Sequence, residues 1–157
     1  MFHIVLFHPE IPHNTGAAGR LAVATNARLH LIKPLGFSLD EKHVRRTGLD
    51  YWPHVDLHLW DNLEQLESAA APGARFWYLS TKATHSIWAA DAPIRDGDYF
   101  VFGPESKGLP ERWITAHPDT ALRIPMPGDY ARSLNLSTSV AIVLYEGLRR
   151  TLTPDTL

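Results

Sequence analysis

The sequence predicts an α/β fold, a parallel sheet flanked by helices, in a single domain spanning residues 1–157. Short apolar runs alternate with helix-like stretches along the whole chain, the pattern of strands joined by crossover helices. A length of 157 residues suits one domain, and 45% of them are hydrophobic, enough to fill a core of that size. Three unusual segments, 8–20, 103–109 and 125–135, fall at predicted strand ends, where sheets of this kind bind ligands.

The elements follow in order. FHIVLF (2–7) reads as a buried first strand, not as a secretory signal, having no basic leader and no small-residue cleavage site. A polar, glycine-bearing turn follows, then Ala- and Leu-rich residues to Asn26. RLHLI (28–32) reads as the second strand, stopped at Pro34, and the short charged stretch 40–47 suits one or two helical turns. VDLHLW (55–60) alternates as a strand does. Asp61 is the expected cap of a helix through about Ala71, which Pro72 and Gly73 end. RFWYLST (75–81) and YFVFG (99–103) read as buried strands, and Pro110 suits the first turn of a short helix. ALRIP (121–125) is the next strand, stopped by Pro125 and Pro127. In the last helix Leu136, Val140, Val143, Leu144 and Leu148 recur at helical spacing, and Arg149 and Arg150 suit the dipole of its last turn.

Composition excludes some chemistry. With no Cys there are no disulfides, no thiolate nucleophile and no Cys-ligated zinc, which also fits a reducing, cytoplasmic compartment. No run approaches the roughly 18 apolar residues of a membrane span. The net charge of −2 does not announce nucleic-acid binding. The distribution is less even: residues 1–50 carry six Lys/Arg (Arg20, Arg28, Lys33, Lys42, Arg45, Arg46) against four Asp/Glu, and residues 51–100 three against seven.

In HPEIPHNTGAAGR (8–20), Asn14 and Gly16 suit a tight turn into a helix, and Ala17, Ala18 and Gly19 permit close approach. Arg20 would lie about one and a half turns into that helix. The segment is either a plain strand-to-helix turn or an anion site at a helix N-terminus; it has neither G-x-G-x-x-G nor a P-loop. In FGPESKGLP (102–110), Gly103, Pro104 and Gly108 form a constrained loop carrying Glu105 and Lys107, read as a salt-bridged surface turn or a ligand loop. In IPMPGDYARSLNLSTSVA (124–141), Ser133 and Asn135 are helix caps, ligand contacts or both. His54, Asp56 and His58 would share one face of a strand and read as a solvent-facing polar row, so no metal site is assigned. Trp52 and Tyr51 are the aromatic pair best suited to touch a nucleic-acid base.

Taken together, Asn14-x-Gly16-x-x-x-Arg20, Phe102-Gly103-Pro104-Glu105-x-x-Gly108-Leu109, and Ile124-Pro125-Met126 followed by Ser133-Leu134-Asn135-Leu136-Ser137 resemble the three motifs of the SpoU-type branch of the SPOUT RNA 2′-O-methyltransferases. The resemblance covers essentially the whole chain. It is strongest to the minimal TrmL-type members, through HPEIPHNTG, GLDYW, Leu79-Ser80-Thr81-Lys82 and Tyr145-Glu146. It implies S-adenosylmethionine (SAM) as cofactor, the ribose of the wobble nucleotide in the tRNA anticodon stem-loop as substrate, a C-terminal trefoil knot and a homodimer. The apolar row of the last helix, with Gly147 on its far side, is consistent with self-pairing. The knot rests on the resemblance alone, because chains as a rule are not knotted.

By the same resemblance, backbone groups around Leu79, Gly103, Ile124 and Ser133 would hold SAM, with Ile124 and Leu134 as apolar walls for the adenine. Glu105, Ser133 and Asn135 are candidates for the reacting end. Arg20, a guanidinium and so no base, would grip an RNA phosphate and stabilise developing alkoxide charge. Lys82, Arg45 and Arg46 are further RNA-contact candidates. The alternatives are a non-catalytic RNA-binding module of this fold, a 2′-O-methyltransferase for another RNA site, and a small α/β enzyme of different chemistry. Missing G-x-G-x-x-G, P-loop and G-x-S-x-G motifs count against the last.

Overall fold

The computed structural model describes residues 1–40, 44 and 50–157. Its strands are β1 (His3–Phe7), β2 (Arg28–Ile32), β3 (Leu57–Trp60), β4 (Phe76–Leu79), β5 (His85–Ser86), β6 (Tyr99–Phe102) and β7 (Ala121–Arg123). They form one sheet in the order β3-β2-β1-β6-β4-β7-β5, every pair parallel. The helices are α1 (Pro12–Thr25), α2 (Leu63–Ala69), α3 (Glu111–Ala116) and α4 (Leu136–Thr151). The predicted class is the observed one. Sequence reading missed β5, two residues long and too short to show alternation, and the 3-10 turn at Trp52–His54.

Alternation along the strands separates two cores. Ile4, Leu6, Leu29, Leu31 and Phe100 pack beneath α1 and α4, while Val5, Ile32, Tyr78 and Val101 pack against α2 and α3. Val140, Val143 and Leu144 of α4 are fully buried in the first core. Gly147 lies against Phe2, whose ring carbon would be 2.9 Å from an added Cβ. The apolar row of the last helix is therefore engaged inside the protomer.

Some caps differ from expectation. Asn62, not Asp61, caps α2, its side chain accepting from the Gln65 amide at 2.9 Å. Pro110 stands one residue before α3 rather than inside its first turn. Helix α1 begins at Pro12, so Asn14 and Gly16 lie within it, and the turn out of β1 is made by His8 at φ 50°. Pro12 is preset for a first helical position. Residues 40–47 fall almost wholly outside the described residues.

The amino ends of the strands are closed by satisfied polar groups. Asp98, 1% exposed, accepts from Arg75 at 2.8 and 3.0 Å, from the Trp77 indole at 2.6 Å and from the Arg95 amide at 2.9 Å. A row of stacked rings, Phe76, Tyr99, His3, His30 and His58, crosses one face of the sheet. The Trp60 indole donates to His30 Nδ1 at 3.0 Å, which leaves the His30 Nε2 proton to donate to His3 Nδ1 at 2.9 Å. Burial, with the Arg28 charge, lowers His3 to about 4; burial, with neighbouring His3, lowers His30 to about 3. Asp56 links His58 and Arg28 at the exposed edge, at 2.6 and 2.7 Å. His54 stands apart in the 3-10 turn. Among the described residues no group of three or more His, Asp or Glu could hold a metal, and no helix is long and apolar enough to cross a membrane.

Candidate active site

A cavity of about 940 Å³ opens over the carboxyl ends of β1, β6, β4 and β7, four strands adjacent in the sheet. The location is the one expected for a parallel sheet. All three unusual sequence segments reach it. Leu79, Lys82, Gly103, Glu105, Ile124, Ser133, Leu134 and Asn135 all line it. Leu79 is buried and Ile124 half-buried, which gives apolar walls beside loop backbone.

The loop after β6 has a specific reason for its glycines. Gly108 adopts φ 68° and donates to the Pro104 carbonyl at 2.9 Å. A Cβ on Gly103 would fall on the backbone of Gly108 and Leu109, 2.7 Å from the Gly108 Cα. Gly103 is thus required for the loop to fold back on itself, and close approach to a ligand is not its first function.

Glu105 is tied to the neighbouring loop. Its carboxylate accepts from the amides of Glu10, at 3.1 and 3.2 Å, and Ile11, the N-cap residue of α1. Helix α1 has no acidic residue in its first turn and no side-chain cap of its own. A carboxylate 94 positions away satisfies those amides and suits the positive end of the helix. The clasp is reciprocal: the Glu10 carboxylate accepts from the Ser106 amide at 3.1 Å and hydroxyl at 2.6 Å. The Ser106 hydroxyl, then its amide, holds Glu10 below the usual carboxylate range. Glu105 lines the cavity, but with its carboxylate engaged it is no free base.

Asn135 shows that cap and site share atoms. Its Oδ1 accepts from the amides of Ser137 and Thr138 at 2.9 and 3.3 Å, capping α4. Its Nδ2 donates to Asn14 Oδ1 at 3.1 Å, joining α4 to α1 across the cavity edge. Asn14 is buried and lines the cavity; sequence reading gave it only a turn role, although it opens the first motif. Lys107, Arg112 and Arg132 also line the cavity and were not singled out as contacts; their signal was position, inside or next to the motif segments. Ser133 and Leu134 are exposed at its edge. Lys82 Nζ lies 3.3 Å from Glu111, an exposed pair of little strength that is readily exchanged for another anion.

Arg20 and Trp52 stand away from the cavity. Arg20 does not line the cavity. It is exposed on α1, six residues beyond Asn14, which is about 9 Å along the axis and on another face. Its guanidinium carbon lies over the Tyr51 ring, 5.7 Å from the centroid. Trp52 is not a free base-stacking platform: it packs against Gly19, where a Cβ would come 2.6 Å from its ring. Arg45 and Arg46 lie outside the described residues.

Residues 1–145 match the model of the SpoU rRNA Methylase family. The chain belongs to that family. A relative from Methylovorus glucosotrophus, tRNA (cytidine(34)-2'-O)-methyltransferase, is 48% identical over 153 residues, 96% of each chain. A solved structure described as giving insights into the 2-OH methylation of C/U34 on tRNA is 47% identical, with a TM-score of 0.88, covering 96% of this chain and 95% of that one. The SpoU methyltransferase AviRb from Streptomyces viridochromogenes, in complex with AdoMet, shares the fold at 22% identity and a TM-score of 0.74, over 94% of this chain and 57% of that one.

Proposed function

We propose that this protein methylates the 2′-hydroxyl of nucleotide 34, the wobble position of the tRNA anticodon stem-loop, using SAM. It acts as a cytoplasmic homodimer of one SPOUT domain, residues 1–157, with the C-terminal trefoil knot of its family. The observation that carries this reading is the convergence of three distant motif segments on one cavity beyond the strand ends. The tRNA nucleotide is supported by the names of relatives alike over nearly their whole length.

SAM supplies an activated methyl on a sulfonium. Backbone groups at Leu79, Gly103, Ile124 and Ser133 would hold the cofactor, Ile124 and Leu134 would provide apolar walls for its adenine, and Glu105 shapes the binding loop through its clasp on α1. In-line displacement requires the ribose hydroxyl at near-attack distance; the O–CH3 bond would form as the S–CH3 bond breaks, releasing S-adenosylhomocysteine, and the hydroxyl proton would pass to the RNA phosphate or to water. Asn135 and Ser133, both lining the cavity, would serve the reacting end of donor and ribose. Arg20 grips an RNA phosphate through its planar fork and stabilises developing alkoxide charge. Lys82, Arg45 and Arg46 add RNA contacts. Arg20 lies outside its own protomer's cavity, and this is the reason to assign it to the cavity of a second copy.

Tritiated SAM with total tRNA, followed by nucleoside mapping, tests the assignment: label belongs in the ribose of nucleotide 34. Arg20→Ala is expected to keep SAM affinity within a few-fold while the single-turnover rate falls about 10²–10³-fold, the scale for one transition-state donor. Arg20→Lys rescues poorly. Mixing Arg20→Ala with Asn135→Ala restores partial activity, because one mixed-dimer cavity is then complete. tRNA binding without SAM binding would show a non-catalytic RNA-binding module instead.

A further inference from the structure

The strap at residues 51–55, before β3, is absorbed by neither cofactor nor substrate. It lies along α1. Tyr51 Oη donates to the Gly16 carbonyl at 3.0 Å. In an α-helix that carbonyl also accepts from the amide four residues on, which here is Arg20. The Tyr51 hydroxyl therefore anchors at the turn that carries Arg20, and its ring comes to lie under the guanidinium at 5.7 Å. That distance is within the range of attraction between a cation and an aromatic face. Next along the strap, Trp52 and Val55 pack on the main core, and Trp52 closes on Gly19, where no side chain would fit beneath it. The strap is thus fixed at two consecutive residues, and the ring has a set place under Arg20.

We infer that Tyr51 is the positioning residue for Arg20, its ring holding the guanidinium ready for the RNA phosphate before substrate arrives. The inference rests on the catalytic reading of Arg20 given above. An exposed arginine on a helix otherwise samples many rotamers, and ordering it during the reaction would cost rate. The ring removes part of that cost while leaving the fork's donors free. Tyr51 does not line the cavity, so any loss of rate on its removal is tested for passage through Arg20 by the double variant.

Four variants, Tyr51→Phe, Tyr51→Leu, Arg20→Ala and the double variant Tyr51→Leu/Arg20→Ala, test this with tritiated SAM, total tRNA and excess enzyme. SAM affinity is measured by calorimetry and folding by melting temperature. Tyr51→Leu is expected to lower the rate at saturating tRNA about tenfold with SAM affinity unchanged, while Tyr51→Phe, which keeps the ring, restores most of the rate. In the Arg20→Ala background, Tyr51→Leu should add less than about twofold, because coupled residues are not additive. An equal tenfold loss in that background, or Tyr51→Phe failing as badly as Tyr51→Leu, overturns the inference. If Arg20→Ala costs rate and a folded Tyr51→Leu does not, the positioning role alone falls. If Arg20→Ala costs nothing, the catalytic reading of Arg20 falls and the positioning role with it. A direct readout covers the case in which Tyr51→Leu does not fold: the ring current of Tyr51 should move the Arg20 Nε–H proton upfield in the wild-type spectrum. An unshifted resonance overturns the inference.

Discussion

The two ends of the sheet treat polar groups in opposite ways. At the amino ends, Asp98, His3 and His30 are buried, and each is matched to a partner: Asp98 to two side chains and an amide, His3 to His30, and His30 also to Trp60. At the carboxyl ends, polar groups are tied to one another in pairs, Glu105 with the amides of residues 10 and 11 and Asn135 with Asn14, around a cavity of about 940 Å³. The histidine row carries larger pKa shifts than the cavity, yet its most shifted rings, His3 and His30, are closed into the core. Perturbed ionisation by itself marks burial; a site also needs room and groups not already closed into the core.

The largest effect expected from this contrast is at Gly103. Gly103→Val places a side chain where the backbone of 108 and 109 runs, so the loop must open. Calorimetric SAM binding should be lost, while chemical denaturation shows a stability loss of only about 1–3 kcal/mol, typical of overpacking. Retained SAM affinity would show that the loop does not shape the cofactor site. At the opposite end, Asp98→Ala strips the half-buried Arg75 of its carboxylate, and chemical denaturation should show a loss of about 3–5 kcal/mol. SAM affinity and turnover per folded molecule should not change, and a selective fall in turnover would show the two ends to be coupled.

The smallest effect is a gradual one with pH. His3 and His30 fold as neutral rings with values lowered to about 4 and about 3, against 6.5 ordinarily. Between those values the unfolded chain binds more protons, so stability falls as pH drops from about 6.5 toward 3 and is fully present above 6.5. Melting temperatures across that range should fall less steeply in His30→Gln than in the wild type. An identical slope would mean that the row carries none of the acid sensitivity.

The strand–helix alternation, the last helix with its Leu136–Leu148 spacing and the three motif segments were legible in the sequence, because they depend on local periodicity and on the backbone habits of Gly and Pro. So was the family. Elements too short to have a period were not legible, as with β5 and the 3-10 turn at Trp52–His54. The roles of individual motif residues also shifted: Asn14 was read as a turn former and lines the cavity, while Trp52 was read as a base platform and closes on Gly19.

What the sequence determined by itself is therefore the fold class, the family and most of the residues that line the cavity. Only the tertiary structure decided which of them hold one another. Glu105 reaches an amide 95 positions away, and Asn135 reaches a side chain 121 positions away. No local pattern encodes such a pairing, because it depends on β6 entering the sheet between β1 and β4. The same holds for Arg20. The motif names the residue, but the pitch of α1 and the docking of Tyr51 decide that it faces away from its own cavity.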